Sequence, residues 1–215
     1  MNRMYTSQEM AKIASSKCSG CGACCCGMGD TITLFPYDVF QLTRFLQQPF
    51  SELLEKKIAL HVEDGLIIPH LKMQEETERC GFLQENGQCG IHDFRPDLCR
   101  LFPLGRNYAE NYFQYFIIEQ GCPMTDLSKV KISQWIGIPD MDRYEKYLTS
   151  WHYFVKAMKE KLLLIEEDEF RKKLNMFFLQ TFYLAPYDFE EDFYQIFEER
   201  MKQAEKYVNK KAGGH

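Results

Sequence analysis

The stretch Cys18-Ser19-Gly20-Cys21-Gly22-Ala23-Cys24-Cys25-Cys26 decides how the rest of the chain is read. Five thiols in nine residues do not make a hydrophobic core. Nor do they pair easily with one another, because a disulfide needs Cα and Cβ separations that adjacent cysteines rarely reach. Thiolates this close repel unless a cation neutralises them, and the simplest cation is a metal ion or an iron–sulfur cluster. The Cys-x2-Cys-x2-Cys spacing winds a loop around one centre, as in bacterial ferredoxin runs. Gly20, Gly22, Gly27 and Gly29 let the backbone bend around it. A metal site is therefore expected, with a disulfide scaffold and a set of reactive thiols as the alternatives.

The totals narrow the field. The chain has 215 residues, 45% of them hydrophobic, a net charge of −5 and a pI of about 5.6. That is enough apolar material for one good core or for two small domains sharing an interface. No basic run suggests nucleic acid as a partner. No stretch of 18 apolar residues suggests a membrane span, and Met1–Lys17 lacks the apolar core of a signal peptide. A cytoplasmic location is expected, where thiols stay reduced and a cysteine cluster reads as a metal site. All nine cysteines lie at or before Cys122, and the remaining 93 residues have none. The expected fold is α+β: a small cysteine-rich metal-binding domain over residues 1–126, with short strands and helices, then an α-helical domain over 127–215.

Local patterns suggest the elements. Thr6–Ser16 reads as a short helix with Met10, Ile13 and Ala14 on one face. Thr31–Phe35 reads as a strand, and Pro36 suits the first turn of a helix carrying Val39, Phe40, Leu42, Phe45 and Leu46 inward. Ser51 can cap a second helix to about Leu60. Leu66–Leu71 reads as an edge strand because of Pro69. Asn86-Gly87 marks a tight turn that would bring Cys80 and Cys89 together. Asp93–Arg100 suggests a turn or two of helix around Cys99. Tyr112–Ile118 is the best strand, expected to be buried and to deliver Cys122-Pro123. Ser128 is a candidate cap for a helix through Trp135, and Asp140 for a longer one with Tyr144, Tyr147, Leu148, Trp151, Val155, Met158 and Leu162 on one face. Phe170, Leu174, Phe177 and Phe178 begin another helix, which ends before Pro186, with Glu166–Glu169 at its acidic N-terminal turn. Asp188 is the expected cap of the last. The aromatic faces of these helices read as core.

Cys80, Cys89, Cys99 and Cys122 are spaced too widely for one zinc finger, but a hairpin and a strand can gather them. With Cys18, Cys21, Cys24 and Cys25 they make eight thiols, enough for two four-thiolate centres or one multinuclear one. One partition groups Cys18, Cys21, Cys24 and Cys122, leaving Cys25, Cys80, Cys89 and Cys99. Three cysteines at x2 spacing with an immediate neighbour suit a cubane cluster better than the paired knuckles of structural zinc. Zinc is the main alternative, and soft thiolates also accept cobalt or copper. Arg95 and Arg100 could donate hydrogen bonds to cluster sulfurs and offset thiolate charge. His92, three residues after Cys89, has a ligand-like spacing, but eight thiols leave it little to do. Asp30 and Asp38 read as structural. His61, His70 and His152 have no partner in sequence, and Gly27-x-Gly29 lacks the rest of a dinucleotide fingerprint.

The ordered set Cys-x2-Cys-x2-Cys-Cys, Ile32-Thr-Leu with Asp38, Cys80-x-Phe-Leu, Cys89-x-Ile, Arg95-Pro96-x2-Cys99-Arg100-x-Phe102-Pro103 and Gly121-Cys122 resembles a known family. It is similar to the YkgJ-type CxxCxxCC cysteine-cluster proteins, described as zinc- or iron-chelating domains and often labelled Fe–S oxidoreductases. The resemblance covers about residues 15–125. It implies that Cys18, Cys21, Cys24, Cys25, Cys80, Cys89, Cys99 and Cys122 are the ligand set, and it implies no particular reaction. The same cluster domain is similar to part of the flagellin lysine N-methylases, which are longer. This chain departs from the pattern at Cys26, a third consecutive cysteine, and at His92, where the family commonly has tyrosine. The expected function is an iron–sulfur protein holding one or two 4Fe-4S clusters, with a redox or catalytic role and a small-molecule or protein redox partner. The alternatives are a zinc-binding structural or interaction module and, more distantly, a methyltransferase-related protein.

Overall fold

A computed structural model describes residues 3–14, 21–54, 56–119, 121–123 and 126–212. The chain begins with strand β1, Met10–Ala14, where the sequence suggested a helix. The burial pattern explains the change. Ala11 and Ile13 are buried and Met10 is half exposed, which is the two-residue alternation of a strand. A short 3-10 turn at Ala23–Cys25 precedes α1, Pro36–Leu46. Proline stands at its first turn and Asp38 closes a capping box by accepting from Phe35 N at 2.8 Å. Residues 31–35 run extended beside β3 (Leu66–Leu71), with Leu34 N donating to Pro69 O and Leu71 N to Ile32 O.

The helix expected from Ser51 to Leu60 stops early. Helix α2 is only Phe50–Leu53, and Ile58–Glu63 forms strand β2, paired antiparallel with β3. Asp64-Gly65, both at positive φ, makes the turn between them, a hairpin signal that outweighs the local helical period. After a 3-10 turn at His92–Phe94 comes α3, Asp97–Leu101. Strands β4 (Leu104–Ala109) and β5 (Tyr112–Ile117) form a second hairpin. β5 is only half covered: Tyr115 is buried while Tyr112 is exposed. Strand β6, Leu127–Lys131, replaces the first part of the helix expected from Ser128 and pairs antiparallel with β1. Only Ile132–Ile136 is helical there, as α4.

The rest is helical, as expected. Helix α5, Met141–Leu164, starts at Asp140, whose carboxylate accepts from Arg143 N. Helix α6, Asp168–Leu179, runs into a π turn at Gln180–Leu184. The last helix, α7, begins at Phe193. Its first turn is capped by Asp192, which accepts from Gln195 N, and not by Asp188.

These helices meet in an aromatic cluster. The Trp151 ring lies 5.0 Å from Phe182 and 5.6 Å from Phe178, and Tyr147 is 4.6 Å from Phe197. Helix α1 enters the same cluster, Tyr37 packing edge-on to Phe193 at 4.9 Å. Buried polar bonds fasten the two parts. Tyr183 Oη donates to Leu34 O and Tyr147 Oη accepts from Tyr37 N, each at 3.0 Å. Asn175 accepts from Ile67 N at 2.7 Å and donates to Gly65 O at 2.9 Å. A buried polar group left unpaired costs about 1–3 kcal/mol, so these bonds fix register as well as contact.

Candidate metal centre

The cysteine loop is held by backbone bonds. Gly22, at a φ of 64°, accepts from Cys25 N at 3.0 Å and starts the 3-10 turn. Cys80 N donates to Cys25 O at 2.7 Å and Gly27 N to Glu78 O at 2.8 Å, which sets Cys25 beside Cys80. The Asn86-Gly87 turn forms as read, with Gln84 N donating to Gln88 O, and brings Cys89 opposite Leu83. The turn touches the cysteine loop: a Cβ on Gly22 would lie 3.2 Å from Gly87 O. A side chain at position 22 would need a strained φ and would push the hairpin away.

Cys99 lies in α3 and Cys122 follows β5. Ile118 N donates to Pro103 O at 2.9 Å and Gly121 N to Ile118 O at 3.2 Å, turning the chain back toward the cavity. The result is one pocket whose wall includes Cys21, Cys24, Cys25, Cys80, Cys89, Cys99 and Cys122. Cys18 lies outside the described residues. Cys26 is exposed, its Sγ donates to Gly22 O at 3.7 Å, and it is not part of this wall. Leu71, Ile91, His92, Arg95, Phe102, Pro103 and Trp135 complete most of the lining. Among the described residues, no three cysteine, histidine or acidic side chains are drawn together tightly enough to hold a metal as they stand.

The thiols are not equivalent. A hydrogen bond from Cys25, aided by the charge of Arg95, lowers Cys24 to about 6, while the same bond and burial push Cys25 up. Burial raises Cys80, Cys89 and, most strongly, Cys99. Arg95 lines the pocket and its charge pulls Cys24 and Cys89 down. Arg100 does something else than the sequence suggested. Its guanidinium donates to three backbone carbonyls, Arg95 O at 2.8 Å, Ile136 O at 3.4 Å and Asp93 O, so it clamps α3 to α4 and does not line the pocket.

Behind Cys99 sits a buried ion pair. Arg106 grips Asp97 with two bonds of 2.6 Å, and Tyr144 Oη donates to Asp97 at 2.5 Å. Asp38 accepts from Asp97 N at 2.8 Å. α1, α3, β4 and α5 are thus tied at the helix that carries Cys99. Only Asp38 of this network is legible in the sequence, as a structural residue; Asp97, Arg106 and Tyr144 are far apart along the chain and have no spacing that joins them. Trp135, a further lining residue, was read only as the end of a helix.

A thiolate-bound metal suits this pocket. Soft sulfur donors select zinc, copper or iron–sulfur centres. Arg95 Nε is buried and has no hydrogen-bond partner among the described residues, leaving a donor that a sulfur acceptor would satisfy. Residues 17–123, about half of the chain, match the family model CxxCxxCC, described as a "putative zinc- or iron-chelating domain". Neither curated proteins nor solved structures gave a match. The matched span contains all nine cysteines and every cysteine on the pocket wall; through it, the chain carries a domain of the CxxCxxCC family.

Proposed function

We propose that this chain holds an iron–sulfur centre in its cysteine pocket, with Cys18, Cys21, Cys24, Cys25, Cys80, Cys89, Cys99 and Cys122 as the ligand set. One observation carries the reading: seven thiols from five separated places in the sequence line a single pocket. A zinc ion and a four-iron cluster each take four thiolates, so eight thiols suit two centres or one multinuclear one, and it is the Cys-x2-Cys-x2-Cys run that favours iron–sulfur. When bound, a four-iron cluster supplies one-electron chemistry, which suits a redox role.

The chain's own residues have definite tasks in this reading. The hydrogen bond between Cys24 and Cys25 favours loss of a proton from that pair, which makes it a natural first point of metal attachment. Cys80, Cys89 and Cys99 keep their protons through burial until a metal replaces them. Arg95 offsets the negative charge that builds up as thiolates gather. Leu71, Ile91 and Phe102 keep the wall apolar and limit water, which tunes the potential of whatever is bound. The sulfurs are not gathered in advance, so binding draws the loop, the hairpin and α3 together.

The test is anaerobic purification followed by analysis of iron, zinc and acid-labile sulfide per chain. Iron and sulfide in similar amounts, with broad visible absorbance, is the expected result. Zinc without sulfide, after anaerobic handling, would replace this reading with a zinc-binding structural module.

A further inference from the structure

We propose that Trp135 donates its indole N–H to a sulfur of the bound metal centre; the inference rests on the metal-binding reading above. Trp135 lies beyond the family's matched span, which ends at residue 123, yet it lines the same pocket as the seven cysteines. Its Nε1 is buried and has no hydrogen-bond partner among the described residues. Tryptophan N–H groups that are buried usually find an acceptor, and a buried donor without one is unfavourable. The groups that share this wall are thiols, which become strong acceptors when they ligate a metal.

The placement of Trp135 is well supported. It sits in α4, whose Ile132 and Ile136 are fully buried. Ile132 N donates to Glu9 O at 3.1 Å and Ser133 N to Ser7 O at 2.9 Å, anchoring the start of the helix to the chain around β1. Gly137, at a φ of 68°, ends it, donating to Ser133 O. Arg100, the residue next to Cys99, donates to Ile136 O. The clamp therefore joins the helix that carries Cys99 to the helix that carries Trp135, and it explains why Arg100 points away from the thiols. Metal-ligand partners of this kind orient the ligand sulfurs and tune the centre.

The chain has two tryptophans, which makes the test direct. Reduced, metal-free, full-length protein with 15N-labelled tryptophan is titrated with zinc alone, and the two indole N–H resonances are followed. The Trp135→Phe variant assigns them; it keeps an aromatic ring and loses the donor. On stoichiometric uptake the Trp135 resonance is expected to move and its solvent exchange to slow, while that of Trp151, in the aromatic core, stays. Trp135→Phe is expected to weaken zinc binding about 10–100-fold. Stoichiometric zinc uptake with an unmoved Trp135 resonance overturns the inference alone, and so does wild-type affinity in Trp135→Phe. If the wild-type protein takes up neither zinc in this titration nor iron and sulfide on anaerobic reconstitution, the metal-binding reading falls and this inference with it. Trp151→Phe gives the same assignment independently, so a misfolded Trp135→Phe does not shield the proposal.

Discussion

The cysteine region and the C-terminal helices hold together in different ways. The helices bury rings: Trp151, Phe178, Phe182, Tyr183 and Phe197 are almost wholly inaccessible and lie against one another. Each such side chain contributes about 1.5–3 kcal/mol by leaving water, and long helices complete their own backbone bonding. Around the cysteines, elements are three to six residues long, turns use positive-φ residues, and the inward side chains include thiols. Short elements leave more backbone groups to be paired outside regular structure. Both regions bury apolar side chains, Leu34, Leu42, Ile58 and Leu66 among them in the cysteine region; the difference is that the helices close on their own rings, whereas the thiol wall is what a bound metal would complete in the reading proposed above. They are nevertheless fastened together by buried polar bonds, so loss in one part is transmitted to the other through a few named residues.

The largest expected effect comes from removing metal. Because binding free energy in such sites is largely folding free energy, chelation is expected to unfold the cysteine region before the helices. Limited proteolysis should cut first near residues 72–90, while helical circular dichroism from α5–α7 persists. Unchanged near-UV signal and protease resistance after complete demetallation would erase the contrast between the two regions.

Next comes the tie between them. Asp97→Ala leaves Arg106 buried without its partner and removes the acceptor for Tyr144; breaking a buried pair from one side costs about 3–5 kcal/mol. Asn175→Ala removes a second tie, to the β2–β3 turn, at about 1–3 kcal/mol. Urea unfolding measures both, and metal content separates them. Asp97→Ala should also lower metal per chain, because α3 carries Cys99, whereas the folded fraction of Asn175→Ala should load normally. Equal metal loss in both variants would mean that the ties act only through general stability.

The ninth thiol gives a sharper test inside the cysteine region. Cys122 lines the pocket and Cys26 does not. Cys122→Ser should reduce metal per chain and change the visible absorbance, and Cys26→Ser should leave both nearly as they were. Full occupancy in the first variant with loss in the second would show the ligand set to be wrong.

The last expected effect concerns pH, and its direction is what the measurement reads. Burial, and then the charge of Asp97, raise Asp38 from the ordinary 3.8 to about 8, with Arg100 and two backbone N–H groups opposing the shift. A carboxyl raised by folding favours the folded state while protonated. Its contribution is complete below pH 3.8 and fades as pH rises to about 8. Metal-loaded protein should therefore lose a modest part of its stability between pH 5 and 8. Asp38→Asn, which has no such titration, should show a flatter dependence in urea unfolding over the same range. An identical slope in both proteins would place the titration elsewhere.

Some of this was legible in the residues alone. Spacing put Cys21, Cys24 and Cys25 on one loop, which lies on one pocket wall, and Asn86-Gly87 made the turn that carries Cys89, because both signals depend on neighbours in the chain. The 3.6-residue period of Tyr144, Tyr147, Leu148 and Trp151 made α5, since a helix satisfies its own backbone and needs only one apolar face. β1 and β6 could not be read this way. Either segment suits a helix locally, and only the pairing of Ala11 with Val130, far along the chain, made them strands. For the same reason the sequence supplied the thiols but neither the Asp97–Arg106–Tyr144 tie nor the presence of Trp135 beside them. A single carboxylate, arginine or tryptophan carries no spacing to read. Its role comes from what the fold places against it, and that is a property of distances in space which no count along the chain contains.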